Sequence, residues 1–474
     1  MSFTNQLFSI LPEIKAPSQK YLPFKTKLKW TLIILLAYFI LGIIPLYGLG
    51  ANALKNLDLL AVILGAQFGT IISLGIGPLV TASIVLQLLT GSGILKIDTT
   101  THEGRAFFQG LQKLFSIFFV IFEALIYVFL GGLSPALGFS PWVLVIQLIL
   151  GGLLIMLMDE VCAKWGIGSG ISLFIAAGVS LQIFIGAFSP LSEAAAASTS
   201  LPLNQKLGFP FTSQPPVGRV WVMIKSLIEG SIASALRAGA TIAATIVVFA
   251  LAVYLQAMKV EIPLSFGKVR GYGIRWPLKF IYTSNIPVIL IAALLANIQL
   301  MARLFENKGH PWLGTFSGNL PASGIVLWLN GPDILDVLFT GAVNLLPTLA
   351  HSLVYMLFMV AGSVVFSIFW VQTSGMDAKT VAKQLMATGL QVSGFRRDER
   401  VLETILNRYI LPLTVMGAIT VGFLAAVADL SGALSRGTGI LLTVMIVYKF
   451  YEDIAQQHLM EMHPALQKIM GAGK

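Results

Sequence analysis

The stretch LGIGPLV, from Leu74 to Val80, lies in the middle of an apolar run that extends from Leu57 to Leu89. Asp58 is the only charged residue in this run. A single helix of that length would reach roughly 50 Å, whereas the hydrocarbon core of a bilayer is about 30 Å thick. Two glycines and a proline in the middle weaken the helix there. The run therefore predicts two pieces, a short re-entrant helix at about 57–74 and a crossing helix from Gly77 to about Leu89.

The break at this point has a consequence for what surrounds it. A broken helix leaves backbone groups unpaired, and inside a bilayer these groups are tolerated only beside a water-filled cavity or within protein. A simple proline kink in one tilted helix is the alternative, but a kink does not shorten the run enough. An apolar helix that re-enters from outside and ends near the bilayer centre would close a cavity there.

The composition indicates a polytopic membrane protein. The chain has 474 residues, of which 56% are hydrophobic and 11% are charged. An average soluble domain carries about 25% charged residues. The single cysteine, Cys162, excludes an intramolecular disulfide, and the N-terminal sequence lacks the features of a cleaved signal peptide.

Ten apolar runs of about 17–25 residues predict ten membrane-spanning helices. An even number places both termini on one side, and most of the 31 Lys and Arg residues lie in segments on that side. The positive-inside rule therefore predicts that both termini of this multi-pass membrane protein lie in the cytoplasm. The ten predicted centres are Leu36, Leu86, Phe119, Leu150, Ala177, Val248, Ala293, Val360, Gly417 and Val444.

A long loop rich in Pro, Ser and Ala separates the first five spans from the last five. The predicted organisation is an N-terminal half at 1–190, an external hinge loop at 191–237 and a C-terminal half at 238–474. Two equal halves suggest a duplicated repeat, with or without inversion.

Two basic loops in the C-terminal half, 259–282 and 372–409, are longer than a connection between helices needs. One interpretation is an orientation signal with lipid headgroup contact. The other is a docking surface for a large anionic partner, such as a ribosome or an acidic motor, because clustered arginines attract phosphates and carboxylates.

Signatures of enzymes are missing from the sequence, which contains no G-x-S-x-G, H-E-x-x-H, P-loop or C-x-x-C motif. The five histidines show no metal-ligand spacing, so the sequence predicts no enzyme, cofactor or metal site. Glu123 is the clear intramembrane charge, and a carboxylate at that depth costs about 2.5–3.5 kcal/mol on insertion scales. It is either a packing residue, a proton site or a polar contact between moving helices. A proton-coupled secondary transporter is thus one candidate, whereas an intramembrane protease lacks a nucleophile and its base.

Three further spans begin with Gly, Ser, Thr or Pro and then continue with β-branched residues and leucine. Together with the first break they predict four interrupted helices that crowd around one axis. If their apolar residues point inward, they form a hydrophobic constriction, which blocks ions and water by dewetting. The alternative for each is packing of small residues between helices. The three segments are KWGIGSGISLFIAAG (164–178), TSNIPVILIAALLANIQL (283–300) and GALSRGTGILLTVMIV (432–447).

Several long segments, in the same order, resemble the SecY family, which forms the main subunit of the protein-conducting translocon. The resemblance extends from about Phe24 to Ala465, is closer to the archaeal and eukaryotic branch, and fades in the outside loops. The segments are LGIGPLVTASIVLQLLTGSGIL (74–95), EGRAFFQGLQK (103–113), DEVCAKWGIGSGISLFIAAGVS (159–180), YTSNIPVILIAALLANIQL (282–300), GFRRDERVLE (394–403) and GTGILLTVMIVYKFYED (437–453).

The resemblance implies an all-α fold of ten membrane helices in two pseudo-symmetric halves around a central pore. The re-entrant stretch at 57–74 corresponds to the family's plug, and a lateral gate lies between spans two and three and spans seven and eight. The gate's polar positions fall on Thr81, Glu123 and Asn297. The ribosome dock falls on Arg270, Arg396 and Arg397. The pore ring falls on Ile76, Val80, Ile171, Ile175, Ile289 and Leu442.

The sequence therefore favours a passive channel for unfolded polypeptides that releases transmembrane segments sideways, with the secondary transporter as the alternative. The family implies partners of four kinds: small SecE-type and beta-type subunits, the ribosome, signal peptides with nascent chains, and lipid. A motor ATPase also docks on bacterial relatives. Because this chain resembles the archaeal branch more closely, the ribosome is the favoured docking partner.

Overall fold

The fold is mostly helical. The computed structural model describes residues 12–18, 22–54, 58–95, 97, 101–192, 216–266, 273–318, 320–340, 345–387, 390–391 and 398–462. Its helices are α1 (Phe24–Ile43), α2 (Asp58–Ile63), α3 (Gly77–Gly91), α4 (His102–Phe129), α5 (Pro141–Trp165), α6 (Gly170–Phe188), α7 (Arg219–Ile228), α8 (Ile232–Ala257), α9 (Ile286–Asn307), α10 (Ile325–Trp328), α11 (Ile334–Thr340), α12 (Leu345–Thr373), α13 (Ala378–Ala387), α14 (Glu399–Leu430) and α15 (Gly437–Met462).

Three small antiparallel sheets, which the sequence did not predict, join segments between helices. The first pairs β1 with β2, the second has the order β4-β3-β7, and the third pairs β5 with β6. The strands are β1 (Leu49–Asn52), β2 (Leu133–Pro135), β3 (Lys259–Phe266), β4 (Gly273–Lys279), β5 (Phe316–Ser317), β6 (Leu320–Pro321) and β7 (Leu390–Gln391).

Eight helices in the described part of the chain are long and apolar enough to cross a membrane: α1, α4, α5, α6, α8, α9, α12 and α14. The chain is thus a multi-pass membrane protein. The other two predicted spans are also helical, since α3 is a shorter apolar helix and α15 has 26 residues. Each of the ten predicted centres falls inside a helix. The total of ten crossings stays a prediction.

The predicted boundaries differ from the observed elements in three places. The predicted hinge loop at 191–237 contains α7 and the beginning of α8, because an apolar segment starts at Ile232. The second basic loop, predicted to end at 409, already gives way to α14 at Glu399, where Asp398 accepts a hydrogen bond from Arg400 N and caps the helix. The third difference concerns the re-entrant segment.

The helical part of the re-entrant segment is shorter than predicted. The prediction of a helix at 57–74 was wrong, because α2 ends at Ile63 and residues 64–76 form a series of turns. Gly75 has φ +56, and a Cβ at that position would lie 2.2 Å from Leu64 O. The same carbonyl accepts a hydrogen bond from Ile76 N at 2.7 Å. The chain thus folds back on itself at the break, and α3 starts at Gly77 with a proline in its first turn.

The two basic loops form one folded unit. β3 pairs with β4 along its length and with β7 at Ser265 and Phe266. Below this sheet, Ile262 and Leu278 share a hydrophobic cluster with α13 and the start of α14. Tyr282 OH donates to Met376 O at 2.7 Å, and burial, together with the nearby Asp377, raises the pKa of Tyr282 to about 12. The sequence predicted two separate loops, and the structure joins them.

Candidate functional site

The aliphatic residues predicted to form a ring lie in one hydrophobic cluster. Ile76, Val80, Ile175, Ile289 and Leu442 are buried members of that cluster, and the partly buried Ile171 packs against it. They come from four helices, two in each predicted half of the chain. The structure therefore places all six predicted residues in one hydrophobic cluster, which also includes residues of α1, α5, α8, α12 and α14.

A common feature of these residues is their position at the beginning of a helix. Ile76 is the residue that precedes α3, and each of the other five lies within the first two turns of α3, α6, α9 or α15. Gly and Ser at these helix starts have small side chains, so the backbones of neighbouring helices can approach closely. The starts of four helices thus contribute to one hydrophobic cluster, and none of the six residues is ionisable.

The re-entrant segment lies against this cluster. A Cβ placed on Gly65 would lie 3.5 Å from Phe174 Cβ and 3.6 Å from Ile76 Cγ2, which is ordinary van der Waals contact. Leu60, Ile63 and other residues of the segment belong to a second hydrophobic cluster, which includes parts of α4, α5 and α9. The segment thus contacts Ile76 and Phe174 of the first cluster and shares the second cluster with the surrounding helices.

The three polar residues predicted at the gate form a connected cluster. Asn297 Nδ2 on α9 donates to Thr81 Oγ1 on α3 at 2.9 Å. Thr81 Oγ1 lies 3.2 Å from Glu123 Oε1 on α4 and 2.8 Å from Gly77 O, and can donate to either oxygen. The cluster therefore links three helices, and its bond between α3 and α9 crosses from one predicted half to the other.

Glu123 is the buried charge of this cluster, with 3% of its surface exposed. Its second oxygen, Oε2, has no hydrogen-bond partner within the described residues. A Cβ at Gly77 would lie 3.2 Å from this oxygen, so the carboxyl group faces the first turn of α3. The gate cluster is thus placed directly beside the helix break.

Both predicted sides of the gate are in contact in this structure. Besides the bond from Thr81 to Asn297, α3 approaches α12 so closely that a Cβ at Gly91 would lie 2.3 Å from Phe369 Cδ1. Spans two, seven and eight therefore pack together in this structure.

The three arginines predicted to dock the ribosome, Arg270, Arg396 and Arg397, lie outside the described residues. The strands that flank them, β3, β4 and β7, belong to one sheet. Lys279, the last residue of β4, forms an ion pair with Glu452 of α15. The sheet next to the segments that contain the three arginines is thus attached to α15, the helix that carries Leu442.

An acidic pair at the end of α5, Asp159 and Glu160, was not predicted as a site from the sequence. Asp159 accepts hydrogen bonds from the segment that begins α6. Glu160 forms ion pairs with Lys113 of α4 and Lys164, each at 2.9 Å. Lys164 also pairs with Glu13 in the N-terminal segment at 2.8 Å. Two adjacent acids at the end of an apolar span were the signal that could have marked this site.

Comparison with known proteins agrees with this geometry. The SecY family model matches residues 70–451. A protein from Methanothermobacter thermautotrophicus named protein translocase subunit SecY is 46% identical, over 98% of this chain and 98% of the relative. The protein of the same name from Pyrococcus horikoshii is 42% identical, over 97% of this chain and 96% of the relative.

Solved structures give the same result. A structure of a protein-conducting channel superposes with a TM-score of 0.80 at 41% identity, covering 98% of this chain and 99% of that chain. Sec61 in a canine ribosome-channel complex from the endoplasmic reticulum superposes with a TM-score of 0.77 at 40% identity, again covering 98% and 99%. By its full-length similarity, its family match and its shared fold, this chain belongs to the SecY family.

Proposed function

We propose that this chain is the central pore-forming subunit of a protein-conducting channel, which translocates unfolded polypeptides passively and releases transmembrane segments sideways. The observation that supports the proposal is that six aliphatic residues at the starts of four helices belong to one hydrophobic cluster, with the re-entrant segment in contact with it. An aliphatic ring excludes ions and water by dewetting when it is empty. Because apolar contacts are not directional, the same ring fits around side chains of any kind.

In this proposal the six aliphatic residues form the seal, and the segment that contains α2 is the plug. The Thr81–Glu123–Asn297 cluster is the closed lateral gate. Its bond from Asn297 to Thr81 joins the two halves, which must separate for a transmembrane segment to reach lipid. The chain lies in the cell membrane with ten crossings, two halves at 1–190 and 238–474, and both termini in the cytoplasm.

The proposed partners follow from the relatives and from charge. A structural relative is Sec61 in a ribosome-channel complex, and the sheet of β3, β4 and β7 flanks all three arginines assigned to the same role here. We assign Arg270, Arg396 and Arg397 to ribosome docking, because clustered arginines bind phosphate oxygens. SecE-type and beta-type subunits with single membrane helices would hold the two halves together, and signal peptides would open the gate.

The test is reconstitution of the chain with its small subunits in lipid vesicles, together with ribosomes that carry a secretory nascent chain. We expect the nascent chain to become protected from added protease, and vesicles without the channel to give no protection. A secondary transporter would instead carry a solute in exchange for protons. No protection, together with a proton-coupled flux that Glu123→Gln abolishes, would contradict the channel.

Ribosome docking is tested by the double variant Arg396→Glu, Arg397→Glu. We expect weaker binding of ribosomes to the vesicles and a smaller dependence of that binding on salt, because phosphate contacts are lost. Lys308→Glu is a matched control, since this exposed cation follows α9 and lies on the face predicted to be external. Equal binding of the double variant and the control at low salt would remove the assignment.

A further inference from the structure

The start of α6 carries two of the six residues of the proposed seal. Ile171 is the second residue of α6, and Ile175 lies one turn further along. The first N–H groups of a helix have no partner within the helix and need an acceptor from elsewhere. The contacts that hold the start of α6 therefore determine the positions of Ile171 and Ile175.

The acceptor comes from a neighbouring helix. Ser169 is the residue at the N-cap position, but its side chain makes no capping hydrogen bond. Instead Asp159 Oδ1, on α5, accepts from Ile171 N at 2.9 Å. The Ser169 hydroxyl donates to the same oxygen at 3.3 Å. An acidic side chain at a helix N-terminus is also favoured by the helix dipole.

The surrounding contacts leave little freedom for this helix start. A Cβ at Gly170 would lie 2.6 Å from Asp159 Cα, so the backbones of the two segments touch. On the other side, Gly168 has φ +73 and packs against the ring of Phe450 on α15. The turn between α5 and α6 is thus held by Asp159 of α5, by the ring of Phe450 on α15, and by Thr31 of α1, whose Oγ1 accepts from Ile167 N at 3.0 Å.

We propose that Asp159 is a positioning residue for the seal: it caps α6 from α5 and so directs Ile171 and Ile175 into the aliphatic ring. This inference rests on the proposed function, because it assigns Asp159 to the same ring. Asp159 itself does not belong to the aliphatic cluster and acts through the helix that it caps.

Its neighbour Glu160 provides a matched control. Glu160 has the adjacent position on α5 and also carries a carboxylate, but its partners are Lys113, Lys164 and the backbone of Ile14. It makes no described contact with α6. A change at Glu160 therefore removes charge and hydrogen bonds from the same end of α5 without removing the cap.

The experiment uses the complex with its small subunits in planar bilayers, without ribosomes, and measures the ion conductance of the closed channel. We expect Asp159→Ala to raise the conductance about fivefold, the effect of losing one helix cap on a closed state. Asp159→Asn retains an oxygen acceptor and should restore most of the seal. Glu160→Gln should leave the conductance close to that of the parent protein.

A second measurement separates positioning from general loosening. Cysteine at position 171 or 289 is reacted with a membrane-impermeant thiol reagent, and the native Cys162 gives little background because it is buried. We expect Asp159→Ala to speed the labelling of Ile171→Cys, on α6, and to leave the labelling of Ile289→Cys, on α9, unchanged. Ser169→Ala, a milder variant, should produce a smaller increase of the same pattern if Asp159→Ala fails to assemble.

Three results would overturn the inference. The first is unchanged conductance and unchanged cysteine labelling in the Asp159 and Ser169 variants. The second is an equal acceleration of labelling at Ile171→Cys and Ile289→Cys. The third is an Asp159→Asn variant whose closed channel conducts as many ions as that of Asp159→Ala. None of them contradicts the proposed channel. The proposed seal itself is in question if Ile171→Ser leaves the conductance unchanged, and the proposed channel is in question if nascent chains gain no protection from protease, so the failures are distinguishable.

Discussion

Two neighbouring regions of the core use opposite chemistry where the two predicted halves of the chain are in contact. Val80 and Thr81 are consecutive residues of α3, yet Val80 belongs to the aliphatic cluster and Thr81 to the polar one. The aliphatic cluster has six proposed ring residues from four helices. The polar cluster has three side chains, whose hydrogen bonds connect α3 to α4 and α9.

The two kinds of contact explain how a membrane channel can be sealed when closed and still open to a polypeptide. Apolar contacts have no preferred direction, so a ring made from them can close again around a different surface. Hydrogen bonds require defined distances and angles, so the bonds from Thr81 to Glu123 and Asn297 form in only one alignment of the helices. We infer that the aliphatic ring supplies the seal and the polar cluster specifies the closed alignment of the gate.

The largest expected effect comes from fixing the polar alignment permanently. In Thr81→Cys, Asn297→Cys, a short bifunctional thiol reagent would link α3 to α9 where the two side chains now bond. Because the halves can then no longer separate, we expect translocation of a secretory protein to stop. The measurement is protease protection in vesicles, with each single-cysteine variant treated in the same way as control. Continued transport through the linked form would contradict a lateral gate.

The next effect concerns the turn that precedes both regions. Gly75→Ala would place a Cβ 2.2 Å from Leu64 O, at a backbone φ of +56. We expect the re-entrant segment to be displaced and the closed channel to conduct ions. Gly93→Ala is the matched control, because Gly93 also has a positive φ, +77, but has nothing within 4 Å of its Cβ position. If the conductance rises equally in both variants, backbone strain rather than the contact with Leu64 is responsible.

Polar substitutions test the aliphatic side of the comparison. Ile171→Ser and Ile289→Ser place hydroxyls in the proposed constriction, where water then has hydrogen-bond partners. We expect the closed channel to conduct severalfold more ions in planar bilayers. Leu148→Ser, in the second hydrophobic cluster, is the control, since it buries the same hydroxyl away from the ring. A leak of the same size in the control would assign the effect to lost stability.

The smallest effects are expected on the polar side. Thr81→Val removes the group that bonds both Glu123 and Asn297, and a buried polar group without a partner costs about 1–3 kcal/mol. The substitution therefore destabilises the closed arrangement of α3 and α9. We therefore expect a marginally hydrophobic segment to partition into the bilayer at least about fivefold more readily. Insertion of such a segment into vesicles measures the shift, and unchanged partitioning would remove Thr81 from the gate.

Glu123→Gln is the companion variant and should change least. A glutamine oxygen can still accept from Thr81, so we expect the same partitioning to stay within about twofold of the parent. A loss as large as that of Thr81→Val would show that the ionisable group itself is needed, which would favour a proton-linked role for Glu123.

The sequence by itself determined the segments and their class. Length, hydropathy and the two glycines and proline near Pro78 predicted the spans and the break, because these properties are local and additive along the chain. The sequence also shows that the predicted ring positions are aliphatic and that Thr81, Glu123 and Asn297 are polar, since residue type is a property of the sequence. The length of the re-entrant helix was overestimated, because turns held by contacts with distant carbonyls carry little local signal.

Only the tertiary structure decided which residues meet. It placed Asn297 Nδ2 2.9 Å from Thr81 Oγ1 across 216 positions of sequence, and it joined two basic loops into one sheet through β3 and β7. It also gave the start of α6 its cap from Asp159, where the sequence places a serine. The physical reason is common to all three. Hydrogen bonds depend on distance and angle between groups far apart in the chain, and those are fixed only when the helices pack.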